Sequence, residues 1–382
     1  MMNRSIEKKF REIPTPFYYY DLDVLNETCR KVKEESEKSG FIIHYAVKAN
    51  ANPRILGIIA SYGFGADCVS YNEIERAIEC GFNPSDIVFA GVGKTDYEIE
   101  SALKARISCF NSESIAEIEV IDSIAGRLKT NATIALRINP YIEAHTHKYI
   151  TTGIAESKFG ISTWELKDVL ERMETLGNVS LSGIHFHIGS QITLMSVFKS
   201  LCSRVNELQD WFSSQNIDLK TINLGGGLGI DYNNPDSAPQ FDEYFSLIRE
   251  LVRIRPGQKI HFEPGRSIVA QCGSLITKVL YIKKGSNTTF AVVDAGMTDL
   301  IRPALYQAHH EIQNLSSDGE TAKYDVVGPI CESSDTFAKF IELPETSRGD
   351  ILAIRSAGAY GEIMASRYNL RNLPGAVFSD EL

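Results

Sequence analysis

The stretch FIIHYAVKANANPRILGIIASYGFGADCVSYNEIERAIECG, residues 41–81, contains the unit from which the fold is built. Two short apolar runs, FIIHYAV from Phe41 and FGADCV from Phe64, have the composition of buried strands. Pro53 stands where the first turn of a helix tolerates proline, and Ser70 can cap the helix that follows it. The stretch therefore predicts a strand, a helix, a strand and a helix in succession.

Six further apolar runs continue this alternation: DIVFA from Asp86, ISCF from Ile107, TIALRI from Thr133, LSGIHFHI from Leu181, TINL from Thr221 and KIHFE from Lys259. One intervening segment, SESIAEIEVI, is predicted to begin a helix at Ser112 with Glu113 in its first turn. Eight strands that alternate with helices over about 250 residues are typical of a closed (β/α)8 barrel. An open doubly wound sheet is the alternative, but the run LGGGLGI has Ile230 where the dinucleotide fingerprint would have its third glycine.

The character of the sequence changes after about residue 270, where strand-like runs replace the helical periodicity. These runs are SLITKVLYI, TFAVVDA, YDVVG, FAKFIEL and DILAIRS. The segment PFYYYD around Tyr18 is also strand-like and could pair with this later part. We therefore expect an α/β protein with a (β/α)8 TIM barrel over residues 24–270 and a β-rich, β-barrel domain formed by residues 1–23 and 271–382.

Composition and charge argue against several classes of function. The 382 residues carry a net charge of −10 without a clustered basic stripe, which is unfavourable for binding nucleic acid. No apolar run is long enough to cross a bilayer, and the charged first residues do not resemble a secretory signal, so we expect a cytoplasmic protein. The seven cysteines are scattered singly, which argues against a structural zinc site and a disulfide framework. Small molecules and other copies of the chain are the expected partners.

Polar residues just past each strand are the candidate site, because the carboxyl ends of the strands form the active face of such a barrel. The sequence places there Lys48, Asp67, Ser70, Arg137, His185, His187, Ser190, Gly225, Gly226, Gly227, Glu263 and Arg266. Each has an ordinary structural explanation by itself, since a lysine after a strand is usually solvated and a glycine run is usually a loop. Their common position at successive strand ends favours a functional site.

These residue types together indicate pyridoxal phosphate. Glycines after the seventh strand let backbone N–H groups approach a phosphate, and Arg266 could add positive charge there. Lys48, at a strand end in a partly desolvated pocket, is of the type that forms a Schiff base with an aldehyde. A carboxylate such as Glu263 would keep the pyridine nitrogen protonated, and His187 could lie against the ring.

A metal site at the two histidines of HFHIGSQ is the alternative for this end of the barrel. His185 and His187 stand two apart on a strand and would share a face, as a pair of imidazole ligands must. No carboxylate completes a ligand set there, and the other candidates fall in loops or in the second domain: His145, His147, His309 and His310. We therefore expect no metal, and a buried supporting role for His185.

The motifs resemble those of the fold type III pyridoxal-phosphate decarboxylases, with their alanine-racemase type of barrel, and more closely those of the diaminopimelate decarboxylases. They run along nearly the whole chain in this order: HYAVKAN, GADCVS, HKYITTG, SKFGI, HFHIGSQ, NLGGGLGI, FEPGRSIV, DAGMTDLIRPALY, GPICESSD and GAYG. The resemblance implies decarboxylation of meso-diaminopimelate to L-lysine, the last step of lysine biosynthesis. It also implies a homodimer with shared active sites.

The resemblance further implies roles for individual residues. Lys48 would carry the cofactor, and Cys331, from the neighbouring subunit, would act as the second catalytic group. The implied cofactor-binding residues are Lys48, Asp67, Arg137, His187, Ser190, Gly226, Gly227, Glu263, Gly265, Arg266 and Tyr360. The implied substrate-binding residues are Arg266, Arg302, Tyr306, Glu332, Ser333 and Tyr360.

The residue after Cys331 distinguishes substrates within the family. Ornithine and arginine decarboxylases usually have aspartate in this loop, whereas the diaminopimelate enzymes have glutamate, as here at Glu332. The far end of diaminopimelate carries a carboxylate and an ammonium group, and Arg302 with Arg266 offers bidentate donors for that carboxylate. Ser334 departs from the glycine that often stands there, and the chain is on the short side for the family; both departures concern loop geometry and substrate tuning.

Three other functions stay open on the sequence. A related decarboxylase for ornithine, arginine, lysine or carboxynorspermidine would share the fold, although Glu332 and Arg302 argue against it. An alanine-racemase-like activity would have no use for the CES loop. A catalytically silent homologue would be expected to lose the lysine or the cysteine, whereas Lys48, Glu263 and Cys331 are all present.

Overall fold

The computed structural model describes residues 4–142 and 158–382. The motif HKYITTG and the histidines His145 and His147 lie outside the described residues. The chain divides into two compact units, of which the first comprises Cys29–Gly229 and Gln240–Gly265. The second unit comprises Met1–Thr28, Ile230–Pro239 and Arg266–Leu382. The domain limits expected from the sequence, at residues 24 and 270, stay a prediction.

The strands predicted from the periodicities are present in the predicted order, together with further strands and helices. The strands are β1 Phe17–Tyr20, β2 Ile42–Ala46, β3 Gly65–Cys68, β4 Ile87–Phe89, β5 Cys109–Ser112, β6 Ala132–Arg137, β7 Val179–His185, β8 Thr221–Asn223, β9 Lys259–Phe262, β10 Gly273–Lys284, β11 Thr289–Val293, β12 Ile312–Asn314, β13 Thr321–Val327, β14 Thr336–Pro344, β15 Ile351–Ile354 and β16 Gly375–Phe378. The helices are α1 Arg4–Phe10, α2 Leu22–Glu37, α3 Pro53–Ser61, α4 Tyr71–Glu79, α5 Asp96–Ala105, α6 Ile115–Leu128, α7 Leu166–Met173, α8 Met195–Ser214, α9 Phe241–Leu251, α10 Arg266–Val269 and α11 Arg302–Tyr306.

The first unit is a closed barrel of the eight parallel strands β2 to β9. Closure is made by β2 and β9, where Ile42 pairs with His261 and Ile43 pairs with Phe262. All eight predicted strands are present, and closure excludes the open doubly wound sheet. In a closed parallel barrel the carboxyl ends of all strands lie at one rim, so side chains distant in sequence can converge there.

The helix starts show which local signals of the sequence are decisive. Pro53 begins α3, and the Oγ of Ser70 accepts a hydrogen bond from the Glu73 N–H at the start of α4. Both starts are as predicted. The predicted start of α6 at Ser112 is wrong, because Ser112 is the buried last residue of β5. Ser114 is the cap instead, since its extended backbone lets its Oγ accept from the Glu117 N–H at 3.2 Å.

The second unit is built on one mixed eight-stranded sheet. Its order is β12, β15, β10, β11, β13 and β14, and β1 pairs with both β10 and β16. Tyr18 of β1 pairs with Leu275 of β10, so the strand-like segment near the start of the chain joins the later domain as predicted. Two strands, β12 and β16, were not predicted, because they are short and only partly apolar.

Candidate active site

Glu263 follows β9 and is held by donors from three other strands. Its Oε1 accepts hydrogen bonds from the side-chain amides of Asn111, at 3.2 Å, and Asn223, at 2.7 Å. Its Oε2 lies 2.9 Å from Nε2 of His185. Glu263 is 4% exposed, so these three donors replace the water that a carboxylate would otherwise bind.

Glu263 is an anion in this environment. Burial alone would raise the pKa of Glu263, but the neighbouring His185, and after it Lys48 and His187, hold that pKa well below its usual range. A carboxylate only accepts hydrogen bonds, so His185 donates from Nε2. The other ring nitrogen of His185, Nδ1, is buried and has no hydrogen-bond partner among the described residues.

Lys48 lies in a short 3-10 turn, Val47–Ala49, directly after β2. Its Nζ is 3.3 Å from Oδ2 of Asp67 in β3, and its side chain is about a third exposed, at 35%. Burial and the charge of Glu263 raise the pKa of Asp67 to about 6, although Lys48 opposes this shift. The second oxygen of Asp67, Oδ1, is buried and has no partner within the described part of the chain. The barrel rim therefore combines an accessible amine with two buried carboxyl groups.

The glycine run after β8 packs tightly against the neighbouring strand ends. Gly225 and Gly227 have positive φ angles of 68° and 107°, which L side chains rarely adopt. A Cβ on Gly226 would lie 2.3 Å from the carbonyl oxygen of Glu263, so only glycine fits there. The Gly226 N–H donates to Nδ1 of His187 at 3.4 Å. Burial, and after it the charge of Lys48, holds the pKa of His187 well below its ordinary value, so the ring is neutral with its proton on Nε2.

Arg137, at the end of β6, is held by a buried carboxylate that the sequence did not single out for this role. Its Nη1 donates to Oε1 of Glu113 at 2.5 Å, and its guanidinium lies over the ring of Phe159 at 4.8 Å. The other oxygen of Glu113 accepts from the Gly160 N–H at 2.8 Å. Glu113 thus joins the end of β5 to the end of β6 and to the segment at Gly160.

A second group of predicted residues lies in the β-rich unit. Arg266 donates from Nη1 to the hydroxyl of Tyr232 at 2.7 Å, and its guanidinium lies 5.0 Å from the ring centroid of Tyr360. Arg302 lies 5.0 Å from the ring centroid of Tyr232, and its Nη1 is 2.7 Å from Nε2 of His310. Both arginines are buried, at 6% and 4% exposure. Tyr232 therefore contacts two guanidinium groups at once.

The cysteine loop is exposed over Cys331, Glu332, Ser333 and Ser334. Of the seven cysteines, all within the described residues, Cys331 alone is exposed. The base of the loop is anchored by Asp335, whose carboxylate accepts from the backbone N–H groups of Met297 and Ile330 at 2.6 Å each. Ser334, which stands where the family often has glycine, donates a hydrogen bond to Oε2 of Glu332 at 3.2 Å.

The other predicted site residues are placed as follows. Ser190 is partly exposed after β7, and Tyr306 is the partly exposed last residue of α11. Gly265 is buried, and a Cβ there would lie 3.0 Å and 3.1 Å from the Cβ atoms of Ala49 and Ala46. Ser70 is accounted for as the cap of α4. Among the described residues no group of three or more histidine, cysteine, aspartate or glutamate side chains could hold a metal ion.

Sequence reasoning missed several residues that contact the predicted ones. These are Asn111, Glu113, Asn223, Tyr232 and His310 as a partner of Arg302. Asn111 and Asn223 could have been found, because each is a polar residue near the end of a buried strand. Tyr232 and His310 carry no such signal.

Comparison with known proteins places the chain in a family. Residues 22–270 match the family described as pyridoxal-dependent decarboxylase, pyridoxal binding domain. A diaminopimelate decarboxylase of Bacteroides thetaiotaomicron is 55% identical over 98% of this chain and 98% of its own length. The crystal structure of the Helicobacter pylori diaminopimelate decarboxylase complexed with L-lysine has a TM-score of 0.93 and 42% identity, over 99% of this chain and 94% of that one.

A solved structure with lower sequence identity has a similar fold. The diaminopimelate decarboxylase of M. jannaschii, in co-complex with L-lysine, has a TM-score of 0.91 at 35% identity and covers 98% of this chain and 89% of that one. No helix in the described ranges has both the length and the apolar character that a membrane span requires. Given the closed barrel, the lysine and carboxylates at its rim, and these full-length matches, the chain belongs to the pyridoxal-dependent decarboxylases, among the diaminopimelate decarboxylases.

Proposed function

We propose that this chain decarboxylates meso-2,6-diaminopimelate to L-lysine and carbon dioxide, with pyridoxal 5'-phosphate as cofactor. The observation that carries the proposal is that the buried, anionic Glu263 and the accessible amine of Lys48 lie at one rim of a closed parallel barrel. The relatives from Helicobacter pylori and M. jannaschii, solved with L-lysine, support this choice of product. The reaction is the last step of lysine biosynthesis.

The residues at the rim fit pyridoxal phosphate. A pyridine nitrogen is protonated more readily beside an anion, and Glu263 is held as one by three donors. The Oδ1 of Asp67, which has no hydrogen-bond partner among the described residues, offers the cofactor a polar group. The neutral ring of His187 offers a flat surface on the same rim. The glycine turn Gly225–Gly227 has no side chains to obstruct an approaching phosphate.

The remaining cofactor roles rest on the family resemblance. Asp67 and Arg137 would orient the cofactor and His187 would stack on it. The phosphate would be held by Ser190, Gly226, Gly227, Gly265, Arg266 and Tyr360.

The cofactor, when bound, supplies a protonated ring that withdraws electrons from the carbon that loses its carboxylate. Lys48 would hold the cofactor through Nζ, and Asp67, whose Oδ2 lies 3.3 Å from this Nζ, would keep the amine positioned. Glu263 holds a proton on the pyridine nitrogen. Cys331, supplied by the second copy of the chain, donates the proton of its Sγ to the carbon that has lost carbon dioxide.

Arg302 is the proposed anchor for the carboxylate that does not react. Its guanidinium is buried, and no aspartate or glutamate of the described residues forms an ion pair with it. Buried charges are normally paired, so this guanidinium has the character of a site for an anion. Tyr306, Arg266 and Tyr360 would assist, and Glu332 with Ser333 would bind the distal ammonium group.

The same proposal includes the assembly and the domains. We propose a homodimer with shared active sites, in which residues 24–270 carry the cofactor and residues 1–23 and 271–382 contribute substrate-binding and interface residues. The cytoplasmic location stays a prediction from the sequence.

The test is carbon dioxide release by the cofactor-loaded protein from meso-diaminopimelate, L-ornithine, L-arginine and L-lysine. We expect strong preference for diaminopimelate. Lys48→Ala should lose both activity and the visible absorbance of bound cofactor, whereas Lys104→Ala, an exposed helical control, should keep both. Preference for another substrate would refute the assignment of Arg302 and Glu332, and release from none of them would refute the proposed reaction.

A further inference from the structure

His310 lies between two groups of the β-rich unit with opposite hydrogen-bonding character. His310 is 1% exposed. Its Nδ1 is 2.8 Å from the backbone carbonyl oxygen of Arg355, and its Nε2 is 2.7 Å from Nη1 of Arg302. The ring therefore connects the Arg302 side chain to the backbone at the end of β15.

The two partners determine which nitrogen of His310 carries the proton. A carbonyl oxygen only accepts, so Nδ1 donates to it, and a guanidinium only donates, so Nε2 accepts from Arg302. Both bonds exist together only when the ring is neutral. Burial, and after it the charge of Arg302, holds the pKa of His310 well below its ordinary value, which keeps the ring neutral at physiological pH.

A second contact of Arg302 is also made with an uncharged group. Its guanidinium lies over the ring of Tyr232 at 5.0 Å. The rings of Tyr232 and His310 meet edge to face, with centroids 5.1 Å apart and planes at 76°. A buried arginine is usually held by a carboxylate, which neutralises it. Here a neutral imidazole and a phenol ring contact the guanidinium, and no carboxylate within residues 4–142 and 158–382 pairs with it.

We infer that His310 is a positioning residue for substrate specificity: its Nε2 aims the Arg302 guanidinium at the non-reacting carboxylate of the substrate without neutralising it. The inference rests on the proposed function, in which Arg302 binds that carboxylate. An aspartate or glutamate at this position would orient Arg302 equally well, but it would compete with the substrate for the same guanidinium. A neutral acceptor avoids this competition.

Two substitutions separate the two hydrogen bonds of His310. Glutamine can place a carbonyl oxygen near the position of Nε2, so His310→Gln keeps the acceptor for Arg302. Asparagine can place an amide nitrogen near Nδ1, so His310→Asn keeps the donor to Arg355 and loses that acceptor. His309→Asn is the matched control, because His309 is the exposed neighbour in the same segment.

Two ligands distinguish a contact with the non-reacting carboxylate from binding of the rest of the molecule. L-lysine, the product, retains the carboxylate that does not react, whereas 1,5-diaminopentane has the same carbon chain and amines without any carboxylate. Binding of both to the cofactor-loaded enzyme is measured by titration calorimetry, together with KM and kcat for meso-diaminopimelate. His310→Asn should weaken L-lysine binding and raise KM about tenfold, the loss expected for one charge-assisted hydrogen bond, with little change in kcat. Binding of 1,5-diaminopentane should stay unchanged, and His310→Gln and His309→Asn should resemble the unmodified enzyme.

Equal weakening by His310→Asn and His310→Gln, or a loss of 1,5-diaminopentane binding as well, would show a merely structural role and overturn the inference. Unchanged L-lysine binding in His310→Asn would overturn it too. If His310→Asn does not fold, the glutamine variant decides, because its L-lysine affinity must then be retained. Arg302→Gln distinguishes failure of the proposed function from failure of the inference about His310. If Arg302→Gln leaves L-lysine binding intact, the proposed role of Arg302 is wrong. If Arg302→Gln weakens L-lysine binding while His310→Asn does not, only the role of His310 is wrong.

Discussion

His185 donates from Nε2 to Oε2 of Glu263 at 2.9 Å, and both side chains are almost completely buried. The two residues are 78 positions apart in sequence, and β7 and β9 bring them to the same rim. This contact is the leading reason that Glu263 stays ionised against the cost of burial. The anionic state of Glu263 is therefore a property of the barrel and not of the FEPGR motif.

Replacing His185 by leucine should destabilise the cofactor-free protein and weaken its hold on the cofactor. The change leaves a buried anion without one of its donors, and we expect the free energy of unfolding to fall by about 3 kcal/mol. Urea denaturation and cofactor loss on dialysis measure the two effects. His185→Gln keeps a donor near Nε2, so its free energy of unfolding and its cofactor retention should fall less than those of the leucine variant. Equal losses in the two variants would contradict the role of this hydrogen bond.

Asp67 should make the stability of the cofactor-free protein depend on pH. Its pKa in the fold is about 6, raised from 3.8, so its neutral form is favoured by folding. The stability from this group is fully present below about pH 4 and is lost as the pH rises through about 6. Asp67→Asn cannot ionise, so its advantage in unfolding free energy over the unmodified protein should grow by about 2 kcal/mol between pH 4.5 and 7.5. Urea denaturation of both proteins at the two pH values measures this change, and Asp168→Asn, at an exposed position, is the control. An equal difference in unfolding free energy between Asp67→Asn and the unmodified protein at both pH values would contradict the prediction.

Lys94 should be among the most sensitive charged residues of the barrel. Its side chain is 1% exposed, and Nζ donates to Glu117 at 2.7 Å, to the Gly91 carbonyl at 2.8 Å and to the Asn111 carbonyl at 3.0 Å. Lys94→Met leaves Glu117 buried without this partner, so the free energy of unfolding should fall by about 3 to 5 kcal/mol.

The exposed pair of Lys104 and Glu100 is the matched control for Lys94. Lys104→Met should lower the free energy of unfolding far less than Lys94→Met, because solvent screens that pair. The double variant Lys94→Met, Glu117→Leu should recover part of the lost unfolding free energy, because it does not leave the Glu117 carboxylate unpaired. Chemical denaturation measures this recovery. A similar decrease in unfolding free energy for Lys94→Met and Lys104→Met would mean that burial does not determine the strength of these ion pairs.

Cys331 should be the one cysteine that reacts rapidly with a thiol reagent in the native protein. It is exposed, five others are buried, and burial raises the pKa of the partly buried Cys80 thiol. Mass spectrometry after brief labelling should show one modified cysteine for each chain. Cys331→Ala should abolish this labelling, keep the cofactor absorbance and lose at least about a hundredfold in turnover. Cys80→Ala should change none of these, and full activity of Cys331→Ala would exclude Cys331 as the proton donor.

Local signals were sufficient for the order of the eight barrel strands and for two helix starts. The proline at Pro53 and the serine at Ser70 begin their helices as predicted, because capping depends on neighbours only three residues away. Ser112 and Ser114 have equally good local signals, and the sheet decided between them by pairing Ser112 with Leu136 of β6. The choice between these two candidate caps thus depended on pairing with the next strand of the barrel.

By itself, the sequence determined the alternation of strands and helices, the change to a β-rich second part and the residue types at the strand ends, because periodicity and turn chemistry are local properties. Only the tertiary structure decided which side chains meet. Asn111 and Asn223 lie 152 and 40 residues from Glu263 in sequence, and the parallel strands of a closed barrel bring all three to one rim. The charge state of Glu263 and the hydrogen bond from Arg302 to His310 depend on such contacts, and no local pattern encodes the distance between two strand ends.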